Sequence, residues 1–481
     1  MTNLRPALRR LVVAALLALL AGTTGAGGDE PPQVTLVPPD GEVLTGLLRF
    51  DVLTLGEGID HLTFWLDGRE IRRRNRPPYS LELDVGPLPV PRSLRVTAHD
   101  AAGRIVAADE LRLNASPHRF AVRLVEPVAG SRQGERLRAR AVVDVPPEAR
   151  LERLELWLDD ALAATLRQAP FAVQLDLPQP GAMALIKAVA YLADGRRTED
   201  AVIVNGADHG DEVDVDLVEL YTTVVDRNRR PVLGLGAGDF TVYEDGVEQT
   251  LSRFEVVRAL PIHAVVLLDV SASMAPRLET VRRAATGFFD ATAGAGGEDR
   301  VAAIVFNDRP RLAVPFTRRR QAFAGGLAGV RAERGTALYD SLIYALFYAG
   351  GIPGQRAVLL LSDGVDEVSR FTFDDALEYA RRSRVAIYAI GIDLDKGAEG
   401  SPRKVLSRFA EETGGRSFFL DDAGALAAAY AAILDELRAK YLLAYHSRST
   451  RPRRGRDAFR RIEVEVHRRG LEAKTLRGYY P

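Results

Sequence analysis

The sequence predicts a multidomain protein in which all-β sandwich modules precede and flank one doubly wound, Rossmann-like α/β domain. Two observations lead to this division. Residues 260–446 alternate between apolar runs of strand length and segments with helical spacing, which is typical of parallel strands joined by helical crossovers. Residues 31–257 carry short alternating strands separated by Pro, Gly and Asp, and part of this region repeats itself, which is typical of antiparallel sandwiches.

The first 26 residues have the features of a signal peptide. Arg5, Arg9 and Arg10 form a positive segment, residues 11–21 form an apolar core, and small residues follow at 24–26. This core is too short to span a bilayer, which needs about 20 apolar residues. We therefore expect an exported protein, periplasmic, secreted or at the cell surface, with no transmembrane segment after signal removal.

Two antiparallel sandwich modules, residues 31–115 and 118–206, are predicted from an internal repeat. The matching pairs are Phe64-Trp65-Leu66-Asp67 with Leu156-Trp157-Leu158-Asp159, and Gly103-Arg104 with Gly195-Arg196. The offset is 92 residues in both pairs, from 157 − 65 and from 195 − 103. The modules resemble bacterial immunoglobulin-like or fibronectin-type domains, and their paired tryptophans are interpreted as core residues.

Residues 212–259 and 447–481 are predicted to pair into a further β-sandwich that flanks the α/β domain. Both segments alternate polar and apolar residues over strand lengths, and neither is large enough to bury a core alone. The arginine-rich run at 448–461 is interpreted as a solvated loop at a sandwich edge, with binding to an anionic surface as the alternative.

Within residues 260–446 the apolar periodicity predicts alternating strands and helices. Strands are expected at 263–268, 301–306, 312–316, 358–363, 385–392 and 416–420. Helices are expected at 277–291, 337–348, 373–382, 403–412 and 425–440. This alternation implies a mainly parallel sheet with right-handed crossovers.

Oxygen-bearing side chains follow two of the predicted strands. Asp269, Ser271 and Ser273 come directly after the first strand, and Asp363 ends the strand that begins at residue 358. Ligands bind at the carboxyl ends of strands in an open parallel sheet, and carboxylate and hydroxyl oxygens suit Mg²⁺ or Mn²⁺. Thr336, at the start of a predicted helix, adds a third loop. Such clusters can also simply cap the helix that follows a strand.

This constellation resembles the metal-ion-dependent adhesion site (MIDAS) of von Willebrand factor A (VWFA) domains. The five matching positions are Asp269, Ser271, Ser273, Thr336 and Asp363. The resemblance implies one Mg²⁺ or Mn²⁺ ion, bound directly by the serines and directly or through water by the other three side chains. It also implies a vacant coordination position that a carboxylate of a protein partner fills.

Residues 212–481 as a whole resemble exported bacterial VWFA-related proteins. The supporting motifs are Asp-Phe-x-Val-x-Glu-Asp-Gly at 239–246, Tyr-Leu-Leu-Ala-Tyr at 441–445, Phe-Arg-Arg-Ile at 459–462 and Gly-Tyr-Tyr at 478–480. The function expected is an exported, metal-dependent protein-binding module of the adhesion type, whose partner bears an exposed Asp or Glu. The alternatives are a scaffold in which the metal only stabilises loops and the sandwich repeats bind, and a metal-assisted hydrolase with Asp366 or Glu367 as its base.

Other functional classes lack support in the sequence, and we expect no enzyme activity. The 64 basic and 65 acidic residues are interspersed, which together with export argues against a nucleic-acid partner. The α/β region has no phosphate-binding glycine loop, so we expect no nucleotide. The seven histidines have no zinc-ligand spacing and cysteine is absent, which argues against zinc sites and excludes disulfides.

Overall fold

The structure is a computed structural model that describes most of the chain after residue 31. The described residues are 32–128, 131, 135–159, 161–177, 181, 183–205, 217–257, 260–295, 297–333, 335–394, 401–449 and 458–480. They fall into two compact units, Met1–Glu212 and Val213–Pro481. The predicted signal peptide and residues 450–457 of the arginine-rich run lie outside the described residues. No helix of the described segments is long and apolar enough to cross a membrane.

The first unit consists of antiparallel sheets. Its strands are β1 Gln33–Val37, β2 Leu47–Leu55, β3 His61–Leu66, β4 Arg69–Arg74, β5 Ser80–Asp84, β6 Arg92–His99, β7 Ile105–Leu113, β8 Ala121–Glu126, β9 Arg136–Asp144, β10 Leu151–Leu158, β11 Ala161–Leu166, β12 Ala172–Asp176, β13 Ala184–Leu192 and β14 Arg197–Val204. The sheet orders β1-β2-β5 and β4-β3-β6-β7 recur as β12-β9-β8 and β11-β10-β13-β14. The predicted sandwich architecture of this region is therefore confirmed.

The internal repeat is also visible in the backbone. Asp67 and Asp159, 92 positions apart (159 − 67), both follow the tryptophan-bearing strand with left-handed φ values of 49° and 51°. The interpretation of the tryptophans as core residues is wrong, because Trp65 and Trp157 are half-buried. Their neighbours Phe64 and Leu156 are fully buried instead, and successive side chains of a strand point to opposite faces of its sheet.

The second unit combines two antiparallel sheets with an α/β domain. Its strands are β15 Leu217–Val225, β16 Phe240–Glu244, β17 Val247–Gln249, β18 Leu251–Val257, β19 Ile262–Asp269, β20 Arg300–Phe306, β21 Pro310–Thr317, β22 Gln355–Leu361, β23 Ala386–Ile392, β24 Ser417–Leu420, β25 Lys440–His446, β26 Arg460–Val466, β27 Glu472–Lys474 and β28 Gly478–Tyr479. Its helices are α1 Leu278–Thr292, α2 Arg320–Ala328, α3 Leu338–Ala349, α4 Phe373–Ser383, α5 Pro402–Glu412 and α6 Leu426–Arg438.

The two antiparallel sheets join segments from both sides of the α/β domain. Their orders are β18-β25-β15-β27 and β17-β16-β26-β28, so strands before residue 258 pair with strands after residue 439. Strand β25, which the sequence-based division at residue 446 groups with the α/β domain, pairs with β15 and β18. Its side chains Tyr441, Leu443 and Tyr445 belong to the core of this sandwich. The short segments thus share one core that neither could form alone.

The α/β domain has a six-stranded sheet of order β21-β20-β19-β22-β23-β24. All neighbouring pairs are parallel except β20 with the edge strand β21. Strand β19 is buried along its whole length, as expected for a parallel strand covered on both faces. The predicted doubly wound fold is confirmed.

Helix α2 is absent from the sequence-based assignment. Its consecutive glycines, Gly325 and Gly326, lower the intrinsic helix propensity of the segment. Tertiary packing accounts for one of them, because a Cβ on Gly326 would overlap the Val314 side chain and the Ala313 carbonyl oxygen. Close contact with β21 thus requires a glycine at position 326, and this glycine weakens the helical pattern in the sequence.

The junction between α6 and β25 buries a lysine. Lys440 is 4% exposed, and burial lowers the pKa of its amine to about 8 despite the opposing effect of Glu436. Glu436 is itself buried and pairs with Arg416 at 2.8 Å. The amine therefore titrates at lower pH in the folded protein than in the unfolded chain, where its pKa is about 10.4.

This lysine predicts a pH-dependent stability. Between pH 8 and about 10.4 the unfolded chain holds more protons than the folded one, so the free energy of unfolding rises with pH across that window. The expected rise is up to about 3 kcal/mol. Urea denaturation at pH 7 and pH 10 measures it. Lys440→Met should flatten the rise and the exposed control Lys404→Met should not; equal slopes in both variants would contradict the assignment.

Candidate metal centre

The candidate centre lies where two adjacent parallel strands end. Strand β19 ends at Asp269, and β22 ends at Leu361, which pairs with Leu268. Strand β19 has β20 on one side and β22 on the other. The strand order therefore changes direction at β19. Crevices at such switch points are the usual ligand sites of doubly wound sheets.

Asp269 is the most buried of the five predicted ligands. It has no solvent exposure, and its carboxylate accepts hydrogen bonds from the Ser271 amide at 2.9 Å and the Ser362 hydroxyl at 2.7 Å. Burial raises its pKa, the hydrogen bonds from Ser271 and Ser362 oppose this, and the charge of Asp363 raises it further. Burial thus disfavours the ionised form of this carboxylate more than its hydrogen bonds favour it.

A chain of hydrogen bonds links three further predicted ligands. The Ser271 and Ser273 hydroxyls share a hydrogen bond of 3.1 Å, and the Ser273 hydroxyl donates to Asp363 Oδ2 at 2.7 Å. Ser271 is buried, Ser273 is exposed and Asp363 is half-buried, so the group runs from the interior to the surface. The structure therefore places Asp269, Ser271, Ser273 and Asp363 in one cluster.

Thr336 lies on the loop before α3, which is bonded to the two other loops. The Glu333 amide donates to Val270 O at 2.9 Å, and the Glu367 amide donates to Thr336 O at 2.8 Å. Thr336 is buried, and no hydrogen bond of its hydroxyl to another described residue is found. The loop that carries Thr336 is thus bonded to the loops that carry the other four predicted ligands.

Two residues have structural roles at this site that the sequence did not indicate. Ser362 is buried, donates to Asp269 and accepts from the Gly364 amide at 3.0 Å. Asp366 accepts from the Leu338 amide at 2.8 Å and the Ser369 hydroxyl at 2.6 Å, so it caps α3 across a loop. A cap contributed from a distant segment has no sequence spacing by which to find it.

The side chains of Asp366 and Glu367 are both bonded to backbone amides of neighbouring segments. Asp366 binds the amino terminus of α3, and Glu367 Oε2 accepts from the Thr336 amide at 3.1 Å. Both candidate bases of the hydrolase alternative thus accept hydrogen bonds from backbone amides. Asp393, on the loop after β23, pairs with Arg277 at 2.6 Å.

The donor set fits Mg²⁺ or Mn²⁺. The five side chains offer two carboxylates and three hydroxyls, the oxygen ligands that these hard cations prefer. Neither Asp269 nor Asp363 forms an ion pair with a Lys, Arg or His side chain of the described segments, although Asp269 is fully buried. A buried carboxylate is costly unless it is paired or binds a metal. The described residues contain no group of three or more His, Cys, Asp or Glu suited to a metal.

Comparison with known proteins identifies the α/β domain. The family model of the von Willebrand factor type A domain matches residues 264–432. The conserved hypothetical protein BatB from Bacteroides thetaiotaomicron is similar at 19% identity, covering 37% of this chain and 100% of that chain with a TM-score of 0.31. The vWF domain of the type V pili tip protein Mfa5 from Porphyromonas gingivalis is similar at 15% identity, covering 36% and 94% with a TM-score of 0.32. No curated protein sequence matches the chain. Residues 264–432 of this chain are a von Willebrand factor type A domain, a module of the kind that mediates protein interactions.

Proposed function

We propose that this domain binds one Mg²⁺ or Mn²⁺ ion and, through it, a protein partner. Asp269, Ser271, Ser273, Thr336 and Asp363 are the proposed ligands. The observation that carries the proposal is the fully buried carboxylate of Asp269, which lies beside a second carboxylate and exposed and buried hydroxyls, with no cationic side chain paired to it in the described segments.

The bound ion would act as an electrophile for one further oxygen ligand. Hydroxyl ligands are neutral, so the ion keeps positive charge with which to attract an outside carboxylate. Ser273 and Asp363 lie at the surface end of the cluster, where a partner can reach them. A partner with an exposed Asp or Glu therefore fits the site, which makes the chain an adhesion-type binding protein.

The enzyme and scaffold alternatives have less support. A hydrolase needs a free base beside the ion, but Asp366 and Glu367 accept hydrogen bonds from the backbone of α3 and its preceding loop. A scaffold needs the ion to join the loops, but Glu333, Glu367 and Ser273 already join them through direct hydrogen bonds. Metal-dependent binding of a partner is therefore the hypothesis that accounts for the cluster of oxygen side chains.

We further propose that the protein acts outside the cytoplasm. The support is the signal-like sequence of residues 1–26, with its arginines, short apolar core and small residues. The modules at 31–115 and 118–206 are proposed as spacers between the metal-binding domain and the cell or another partner.

Isothermal titration of Mg²⁺, and then Mn²⁺, into the EDTA-treated chain tests the proposal. One saturable site is expected. The scaffold alternative is tested by pull-down with and without EDTA, since partner binding that persists in EDTA would assign recognition to the sandwich modules. Absence of any metal binding would contradict the proposed function.

A further inference from the structure

A cleft of about 370 Å³ lies beside the metal loops of the von Willebrand factor type A domain. We call it the arginine cleft. Its lining includes Val270, Phe306, Arg309, Arg311, Arg331 and Glu333. Its walls come from the β20–β21 turn and from the loop that leads towards Thr336.

Direct backbone contacts place this cleft next to the proposed metal ligands. Val270, which lines the cleft, follows Asp269 in the chain and donates to Phe306 O at 2.8 Å. Ala337, which follows Thr336, donates to Asn307 O at 2.6 Å. Because neighbouring strands lie about 4.8 Å apart, the cleft begins one strand away from the metal ligands.

Three arginines of the cleft are exposed and form no ion pair within the described part of the chain. Arg309, Arg311 and Arg331 form no salt bridge with any carboxylate of the described segments, although Asp308 and Glu333 also line the cleft. The arginines elsewhere around the site differ in this respect. Arg277 pairs with Asp393 at 2.6 Å and Arg370 with Asp340 at 3.3 Å. Unpaired positive charge thus occurs on the side of the site that faces the cleft.

We propose that this cleft selects partners with a second acidic group beside the carboxylate that completes the metal site; the inference rests on the proposed function. Guanidinium groups bind carboxylates through two parallel hydrogen bonds, which adds geometric selectivity to charge attraction. An extended chain advances about 3.3 Å per residue, so an acid two or three positions away lies about 7–10 Å along the partner. The recognised chemistry is therefore a short acidic protein segment, with acids spaced to reach the ion and the arginines together.

Two capped synthetic peptides test the inference on the purified chain with saturating Mg²⁺. One contains a single aspartate among glycines, and the other carries two more aspartates, two and three positions further along. Titration calorimetry should show at least tenfold tighter binding of the triacidic peptide. The triple variant Arg309→Gln, Arg311→Gln, Arg331→Gln should lose this preference while its Mg²⁺ titration stays unchanged.

A matched control separates a specific cleft from general charge. Arg318, Arg319 and Arg320 are equally exposed and lie after Thr317, which pairs with Val301 near the start of β20, at the end of that strand away from the cleft. Replacing all three by glutamine changes the net charge equally and should preserve the preference.

The outcomes distinguish this inference from the proposed function. Equal binding of both peptides, binding of neither by the Mg²⁺-loaded chain, or an unchanged preference in the cleft variant would overturn the inference alone. A wild-type chain that binds no metal would remove the proposed function, and the inference with it.

Discussion

Replacing Asp269 by asparagine is expected to abolish saturable binding of Mg²⁺ and Mn²⁺, and metal-dependent partner binding with it. Asparagine keeps the size and one oxygen, which can accept from the Ser271 amide. Its NH₂ group replaces the oxygen to which the Ser362 hydroxyl donates, so that hydroxyl must accept there instead. It removes the negative charge that a divalent ion needs. Asp269→Ala should lose the metal equally, while it also leaves the buried Ser362 hydroxyl without its acceptor.

The effect on stability separates a ligand from a structural residue. In EDTA, Asp269→Asn should unfold with a free energy equal to or above that of the wild type, because a buried anion is replaced by a neutral group. At Mg²⁺ concentrations of about 100 times Kd, the wild type should gain about 2.7 kcal/mol and the variant nothing. Titration calorimetry and urea denaturation measure both. The exposed substitution Asp435→Asn serves as the control, and global unfolding of the Asp269 variant in EDTA would show a structural role instead.

Replacing Arg460 by methionine is expected to destabilise the flanking sandwich by about 3–5 kcal/mol. Arg460 is 1% exposed and Glu244 is 2% exposed, and their charged groups lie 3.6 Å apart. Glu244 also accepts hydrogen bonds from the Tyr445 and Ser447 hydroxyls, both at 2.7 Å. Without the guanidinium, a buried carboxylate keeps its charge and loses its cationic partner, which is among the costliest changes in a core.

The same network explains why two distant segments are needed. Glu244 precedes the α/β domain in the chain, and Arg460 and Tyr479 follow it. Burial raises the pKa of Tyr445, and the hydrogen bond to Glu244 and the charge of Glu244 raise it further. The Tyr445 hydroxyl therefore keeps its proton and donates. The network thus joins both ends of the sandwich through charge-assisted hydrogen bonds.

Urea denaturation of Arg460→Met beside Arg461→Met measures this effect. Arg461 is the adjacent residue on β26 and is exposed, so its substitution should change the free energy of unfolding by less than about 0.5 kcal/mol. A second substitution, Glu244→Gln, should recover part of the loss in the Arg460 variant, because it removes the unpaired charge. Equal stabilities of the two arginine variants would refute a buried ion pair.

Strong local patterns made much of the fold predictable. The apolar run of β19 needs burial on both faces, and its sequence shows this without reference to any other segment. The same holds for the repeat, whose two aspartates adopt one backbone conformation. Helix α2 was not predicted because Gly326 has a low intrinsic helix propensity. The glycine is needed there because β21 leaves no space for a Cβ.

The candidate site shows the same division. Asp269, Ser271 and Ser273 share one short motif, whose position after a strand indicates an oxygen-rich site. The hydrogen bond of Ser273 with Asp363, 90 positions away, and the cap that Asp366 provides for α3 depend on loops brought together by parallel pairing. Sequence spacing carries no signal for such contacts.

By itself, the sequence determined the elements with periodic apolar patterns, the order of the sandwich and α/β regions, and the residue types of the candidate metal site. Only the tertiary structure decided that β25 belongs to the sandwich, that Ser362 supports Asp269, and that Arg309, Arg311 and Arg331 share a cleft beside the metal loops. The physical reason is the distance along the chain between the residues that interact. Periodicity reflects the burial of each segment along its own chain, whereas pairing partners, caps and charge clusters depend on which distant segments pack together.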